Sequence, residues 1–350
     1  MPGTFVSLDN GRTWRDNGPL PLPAGFAQGI DTTTAFLPDG VGYVCAFALA
    51  KGASSFAARS RSSAVFVWRT NDGGRTFAGP AEVYRGPGFQ DHPWLAAGFG
   101  RTLYVAWTNR AGLVFSRSTN GGASFSHPRV LVPGPRPADA VVVAAGRFVD
   151  VFYEEARSST LEIGLVTLSR SGRVIRSTPV IASGAGGAPS AGPKRHIFFP
   201  LFAATGSPDG RLLAVALPIV DRALGHPVIE LWRSDTQGHS WQGPTRLAAS
   251  AAAHQAQVQP QLGVVAGSLV ASFFTESRAG VFGEWFASAT AASAGLGKAR
   301  LVSTALFHAT GWLGDYQALA TSRDTAYLGW NDGRTRRLQI YSATITNLQP

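Results

Sequence analysis

One short pattern limits this chain more than any other feature. "SLDNGRTW" covers Ser7 to Trp14, "TNDGGRTF" covers Thr70 to Phe77, "STNGGASF" covers Ser118 to Phe125 and "SDTQGHSW" covers Ser234 to Trp241. In each, a hydroxyl residue is followed two positions on by an Asx-type residue, then by glycine, then by a second hydroxyl and a closing aromatic. Asn120 and Thr236 replace the acid in the last two. Such spacing predicts a self-contained hairpin turn. Asp9 or Asp72 can accept backbone N–H bonds across the loop, Gly11 or Gly74 can take a positive φ, and Trp14 or Phe77 can pack back under the sheet.

Six longer segments also share a design: a start residue, an apolar strand, a Gly- or Asp-containing turn and a second apolar strand. They start at Asp31, Asp91, Asp139, Phe199, Gln259 and Asp315, which lie 60, 48, 60, 60 and 56 residues apart. A third strand follows several of them, as in Val65 to Trp68 and Val228 to Trp232. A period near 55 residues with about four strands per unit points to a β-propeller with long loops. Composition agrees with an all-β chain, because Gly 41 and Pro 22 supply many turns while charged residues make up only 15%, too few for a disordered chain or a helical bundle.

At the turns the resemblance becomes specific. They are similar to Asp-box (BNR) repeats, and the whole chain resembles the sialidase-like six-bladed β-propeller superfamily. "DHPWLAAG" with "LYVAWTN", and "GDYQALA" with "AYLGWNDGR", resemble the inner-strand pairs of bacterial exo-α-sialidase-like proteins. The expected fold is therefore one domain over residues 1–350, an all-β six-bladed propeller of four-stranded antiparallel blades. Residues near Thr4 to Ser7 and the strand after Trp14 are expected to complete the last blade. The resemblance implies a secreted or cell-surface setting, although no signal-peptide pattern occurs in the sequence.

In such a fold the strand starts and the loops between second and third strands share one face. The starts carry Asp31, Asp91 with His92, Asp139, the run Lys194 to His196, the polar run His254 to Gln261, and Asp315 with Tyr316. The loops carry Arg59 and Arg61, Asn109 with Arg110, Glu154, Glu155 and Arg157, Asp221 with Arg222, Glu276 with Arg278, and Asp332 with Arg334. Each acid has an arginine close in sequence. That fits either a ligand-binding face or a mesh of local ion pairs.

The resemblance also implies a chemistry: arginines that grip a substrate carboxylate, a tyrosine nucleophile with a glutamate partner, and an aspartic acid as acid/base. Carried onto this sequence, Tyr316 is the nucleophile. Asp91 or Asp31 is the acid/base, and Glu276, Glu154 and Glu155 are candidates for the tyrosine's partner. Arg222 and Arg278, with Arg334 and Arg110, are the substrate-binding arginines, with His92, Asp315 and Asp31 beside them. Two departures stand out: the sequence has no R-I-P-like segment before its first Asp-box turn, and no glutamate between Glu162 and Glu230. Two functions follow, an exo-acting glycoside hydrolase on an acidic sugar or a non-catalytic carbohydrate- or protein-binding propeller.

Other partners are disfavoured. The net charge of +10 comes from arginines spread along the chain, with no basic run that would track a nucleic acid backbone. No apolar stretch approaches the ~18 residues of a membrane span. The seven histidines show no H-x-x-x-H or H-E-x-x-H spacing, so no zinc site is expected. No cofactor is expected either, although the rim carboxylates leave room for structural calcium. A monomer is the default, and Cys45, the sole cysteine, reads as a buried small hydrophobe.

Overall fold

A computed structural model describes residues 2–51, 62–157, 159–185, 201–247, 255–277, 280–289, 296–309 and 311–348. The fold is all-β, a six-bladed β-propeller by class, with no helix among the described residues. No helix is long and apolar enough to cross a membrane. The chain divides into two compact units, one of residues 1–156 with 163–179, the other of residues 157–162 with 180–350.

The first unit opens with a hairpin of β1 (Gly3–Val6) and β2 (Arg15–Pro19). The first blade follows as β3 (Phe26–Phe36), β4 (Gly42–Ala50), β5 (Ser62–Thr70) and β6 (Ala78–Pro87). The second is β7 (Asp91–Ala97), β8 (Leu103–Asn109), β9 (Gly112–Ser118) and β10 (Arg129–Pro133). The third is β11 (Pro137–Ala145), β12 (Phe148–Arg157), β13 (Thr160–Ser169) and β14 (Val174–Ala185), its last strands running across the unit boundary. Second strands read as unbroken apolar runs, such as "GYVCAFALA" in β4, because both of their faces are covered. One core joins Tyr43, Phe47, Val65, Leu95, Leu103 and Trp107, and another joins Tyr104, Phe115, Val142, Val151 and Tyr153. Each large aromatic here removes enough apolar surface from water to contribute roughly 2–3 kcal/mol. Cys45 lies fully buried in the first core, as its sequence context predicts.

In the second unit the fourth blade is β15 (Ala203–Gly206), β16 (Leu213–Asp221), β17 (His226–Ser234) and β18 (Gln242–Arg246). The fifth is β19 (Ala256–Val265), β20 (Ser268–Glu276), β21 (Val281–Ser288) and β22 (Arg300–Leu301), with β23 (Phe307–His308) also pairing β21. The last is β24 (Ala318–Ser322), β25 (Thr325–Asp332) and β26 (Gln339–Ile345). Phe274, Phe282, Phe286 and Phe307 of the fifth blade form an aromatic core with Leu328 and Trp330 of the last.

The four signature turns have one geometry. In the second, Asp72 Oδ1 accepts bonds from the Thr76 backbone N–H (3.0 Å) and the Thr70 hydroxyl (2.8 Å), while Oδ2 accepts the Thr76 hydroxyl (2.6 Å). The Gly74 N–H donates to Thr70 Oγ1 at 2.8 Å, and Gly74 takes a φ of 90°. Ser7, Asp9 and Thr13 repeat the pattern, as do Ser118, Asn120 and Ser124, and Ser234, Thr236 and Ser240. These bonds hold Asp9 down to about 2, the Thr13 hydroxyl contributing most.

One expectation needs correction. Trp14 does not pack beneath a sheet, since half of it is exposed, whereas Phe77 and Phe125 do pack against cores. β1 and β2 bond to each other in a hairpin whose register runs from Gly3↔Pro19 to Val6↔Arg15, and the last sheet holds three strands.

Candidate functional site

The inner strands of the first unit share a defect in their pairing. Register shifts interrupt β3 between Ile30 and Thr33, β7 between Asp91 and Trp94, and β11 between Pro137 and Ala140. A bulge leaves extra residues unpaired and re-aims their side chains. The residues set free include Asp31, His92 and Asp139, and Asp31 and His92 take left-handed φ values of 53° and 47°. Neither is glycine, so each conformation is held by its surroundings.

Those surroundings are explicit. The Thr33 hydroxyl donates to the Pro93 carbonyl at 3.2 Å and accepts the Leu95 N–H at 3.1 Å, tying the first bulge to the second. The Thr108 hydroxyl donates to Ala138 O at 2.8 Å, tying β8 to the third. Just before Asp91, buried Gln90 accepts bonds from Trp107 Nε1 and Asn109 Nδ2, both at 2.9 Å, and its N–H donates to Ser63 Oγ at 2.8 Å.

The result is an acidic centre. Single ligand atoms of Asp31, Asp91 and His92 all lie within 4.8 Å of one another. Asp139 Oδ1 stands 2.7 Å from His92 Nδ1, and Asp91 Oδ1 is 3.6 Å from His92 Nε2. Glu154, on β12, is 4% exposed and its Oε2 has no hydrogen-bond partner. Asp91 is the open member, with 31% of its side chain exposed against 12% for His92 and for Asp139.

Electrostatics follow from crowding. Burial pushes the Asp91 carboxyl up to about 7, the His92 charge opposing and Asp31 and Asp139 adding. Burial likewise raises Asp31, again against the His92 charge. Burial raises Glu154 well above the carboxylate range, with Asp139 adding to it. For His92 burial works the other way, yet Asp139, Asp91 and Asp31 together carry the imidazolium up to about 10. Asp31, Asp91 and His92 are also the described residues of this unit that could jointly hold a cation.

A cleft of about 380 Å³ lies in the same unit. Phe5, Trp14, Phe36 and Phe77 line it, with Thr32 and Thr34 of β3, the strand that carries Asp31. Phe5, Trp14 and Phe36 are each about half exposed or more.

The other expected site residues fare differently. Arg110 lies exposed in the turn after β8, and Arg222 lies exposed in the turn after β16. Arg334 is occupied: its Nε (2.9 Å) and Nη2 (2.5 Å) donate to Asp332 Oδ2, its Nη1 donates to Thr304 Oγ1 (2.6 Å), and its guanidinium lies 4.4 Å from the Tyr341 ring centre. This is the local ion pair foreseen as the alternative to ligand binding. Tyr316 and Asp315 are half-buried just before β24. Glu276 ends β20, and burial pushes its carboxyl up to about 7. Arg278 lies outside the described residues, as do Arg59, Arg61, Lys194, Arg195, His196 and His254.

Sequence reasoning passed over Glu284. It is 1% exposed in β21, facing the Ser272 hydroxyl and the Gln317 amide, and its signal was a lone acid inside the apolar run "VFGEWF".

No family model and no curated protein match the chain. Solved structures do. A Hadza microbial sialidase, Hz136, is 12% identical with a TM-score of 0.53, over 91% of this chain and 66% of that one. An ulvan lyase of polysaccharide lyase family PL25 is 9% identical with a TM-score of 0.54, over 90% and 78%. The NanB sialidase from Streptococcus pneumoniae, as a K499G mutant, is 9% identical with a TM-score of 0.51, over 94% and 70%. At these identities the likeness is one of fold.

Proposed function

We propose that this protein is a glycan-cleaving enzyme, a glycoside hydrolase whose centre is formed by Asp31, Asp91, His92, Asp139 and Glu154. The observation that carries this reading is the convergence of three bulged strands, which brings three carboxyl groups and one imidazole together, with Glu154 of β12 near His92 and Asp139, and leaves Asp91 partly open to solvent. Backbone strain at two of those positions supports a functional role. Sialidases and an ulvan lyase, the propellers of similar fold, act on glycans, which supports the substrate class.

Cleaving a glycosidic bond requires a proton at the leaving oxygen and an oxygen nucleophile at the anomeric carbon. The substrate meets this centre at Asp91, whose side chain is 31% exposed, with Asp31 alongside. His92 is fixed in orientation by Asp139, so the centre is organised before substrate arrives. The five residues of this centre include no arginine, the group that the sialidase resemblance requires to grip a substrate carboxylate, and this favours a neutral sugar over an acidic one.

A panel of aryl glycosides covering sialosides, uronides and neutral pentosides and hexosides tests this. Turnover of a neutral glycoside is expected, falling about 10²–10⁴-fold in Asp91→Asn. Glycan binding without turnover of any member would make the protein a binding module instead. Turnover unchanged in Asp91→Asn would remove the centre from the reaction.

A further inference from the structure

We propose that Asp31, Asp91 and His92 bind one divalent cation, with His92 Nε2 as the nitrogen ligand and Asp139 as the carboxylate that positions the ring. The proposal rests on reading this cluster as the functional centre, and it names the ion that the centre takes.

Three observations carry it. The donor atoms of Asp31, Asp91 and His92 lie within 4.8 Å of one another, close to the span of one ion, whose bonds of about 2.0–2.6 Å place donors roughly 4–5 Å apart at most. The two faces of the imidazole are also unequal. Nδ1 stands 2.7 Å from Asp139 Oδ1, and Nε2 is the nitrogen on the Asp91 side, 3.6 Å from its Oδ1. A ligating histidine is held in this way, its second nitrogen fixed by a carboxylate so that the first points at the metal.

The third observation is independent of these ligands. Glu154 is 4% exposed, its Oε2 has no partner, and Asp139 and His92 are the charged groups that act on it. A polar atom left unpaired at that depth is costly. A divalent ion held at the cluster offers it a partner, directly or through a bound water.

The donor set of two carboxylate oxygens and one imidazole nitrogen, the ion displacing the Nε2 proton of the imidazolium to solvent, selects the class. Imidazole suits zinc and other transition ions, whereas calcium and magnesium prefer oxygen alone. Zinc and manganese are therefore the expected occupants, rather than the structural calcium allowed for by the sequence. Three protein ligands leave open positions, where a bound ion polarises a water or substrate oxygen.

The test uses the full chain, stripped with EDTA, desalted, and titrated by calorimetry with Zn²⁺, Mn²⁺, Ca²⁺ or Mg²⁺ in the absence of any glycan. One equivalent of Zn²⁺ or Mn²⁺ is expected to bind, more tightly than Ca²⁺. His92→Ala and Asp91→Asn are expected to abolish uptake, and Asp139→Asn to weaken it about 10–100-fold without changing the melting temperature of the metal-free protein. Uptake well below one equivalent overturns the proposal, as does uptake that both His92→Ala and Asp91→Asn retain. The glycoside panel is a separate measurement, so failure to bind metal leaves the hydrolase reading standing, and failure to cleave glycans leaves the metal site standing.

Discussion

The bulged inner strands of the two units make the same backbone move and put different chemistry on it. In the first unit, Asp31 and His92 sit at left-handed φ in bulges of β3 and β7; in the second, Gln259 sits at a φ of 49° in a bulge of β19 between Val258 and Gln261. Around Asp31 and His92 stand acids, one of them open to water. Gln259 is 1% exposed and donates from Nε2 to Gly314 O at 2.5 Å, a neutral amide bonded to backbone. The bulge is therefore a feature of the scaffold. Function depends on which side chain the bulge turns and on whether solvent can reach it.

The most drastic way to break this contrast is to give one bulge the other's side chain. His92→Gln places in β7 the amide that β19 carries. It is expected to lower Zn²⁺ or Mn²⁺ affinity and glycoside turnover by about 100-fold or more, since the oriented nitrogen ligand is lost. Circular dichroism should show the fold unchanged. Retention of both activities would mean that the chemistry at the bulge is incidental.

A smaller effect is expected at Glu284 and has a definite sign. Burial raises its carboxyl well above the usual range, with the Ser272 hydroxyl and the Gln317 amide in reach. A carboxyl raised in the folded state stabilises fully below its unfolded value of about 4.3, and that stability is lost as pH rises toward the folded value. Glu284→Gln, neutral at every pH, removes the loss. The variant is expected to exceed the wild type by about 1–3 kcal/mol in urea unfolding at pH 8 and to match it at pH 4. An equal difference at both values would show that the acid is not buried in its neutral form.

These two centres also mark where the sequence was legible. The signature turns could be read because all their partners fall within eight residues, as Thr70, Asp72, Gly74 and Thr76 do. Strand starts could be read as well, so Asp31, Asp91 and His92 were singled out together. What brought them into contact was not legible, because a bulge depends on how two strands slip against each other, and no motif records that. Closeness in sequence was itself misleading for Arg334. Asp332, two residues away, takes its guanidinium, which a binding arginine would need free. Glu284 went unnoticed because a single acid in an apolar strand carries no spacing to recognise.

The finest test of the comparison separates backbone strain from side-chain bonding at Gln259. Replacing it with alanine removes the bond to Gly314 O and keeps a Cβ at a left-handed φ; replacing it with glycine removes the same bond and relieves the strain. Alanine is expected to cost about 1–2 kcal/mol, and glycine about 1 kcal/mol less than alanine, because the left-handed conformation penalises a Cβ by about that amount. Urea unfolding of the two variants side by side measures the difference. If they unfold together, the bulge carries no strain for a side chain to offset. The same backbone values at Asp31 and His92 would then be relaxed too, and the case for a functional centre in the first unit would rest on its charges and distances alone.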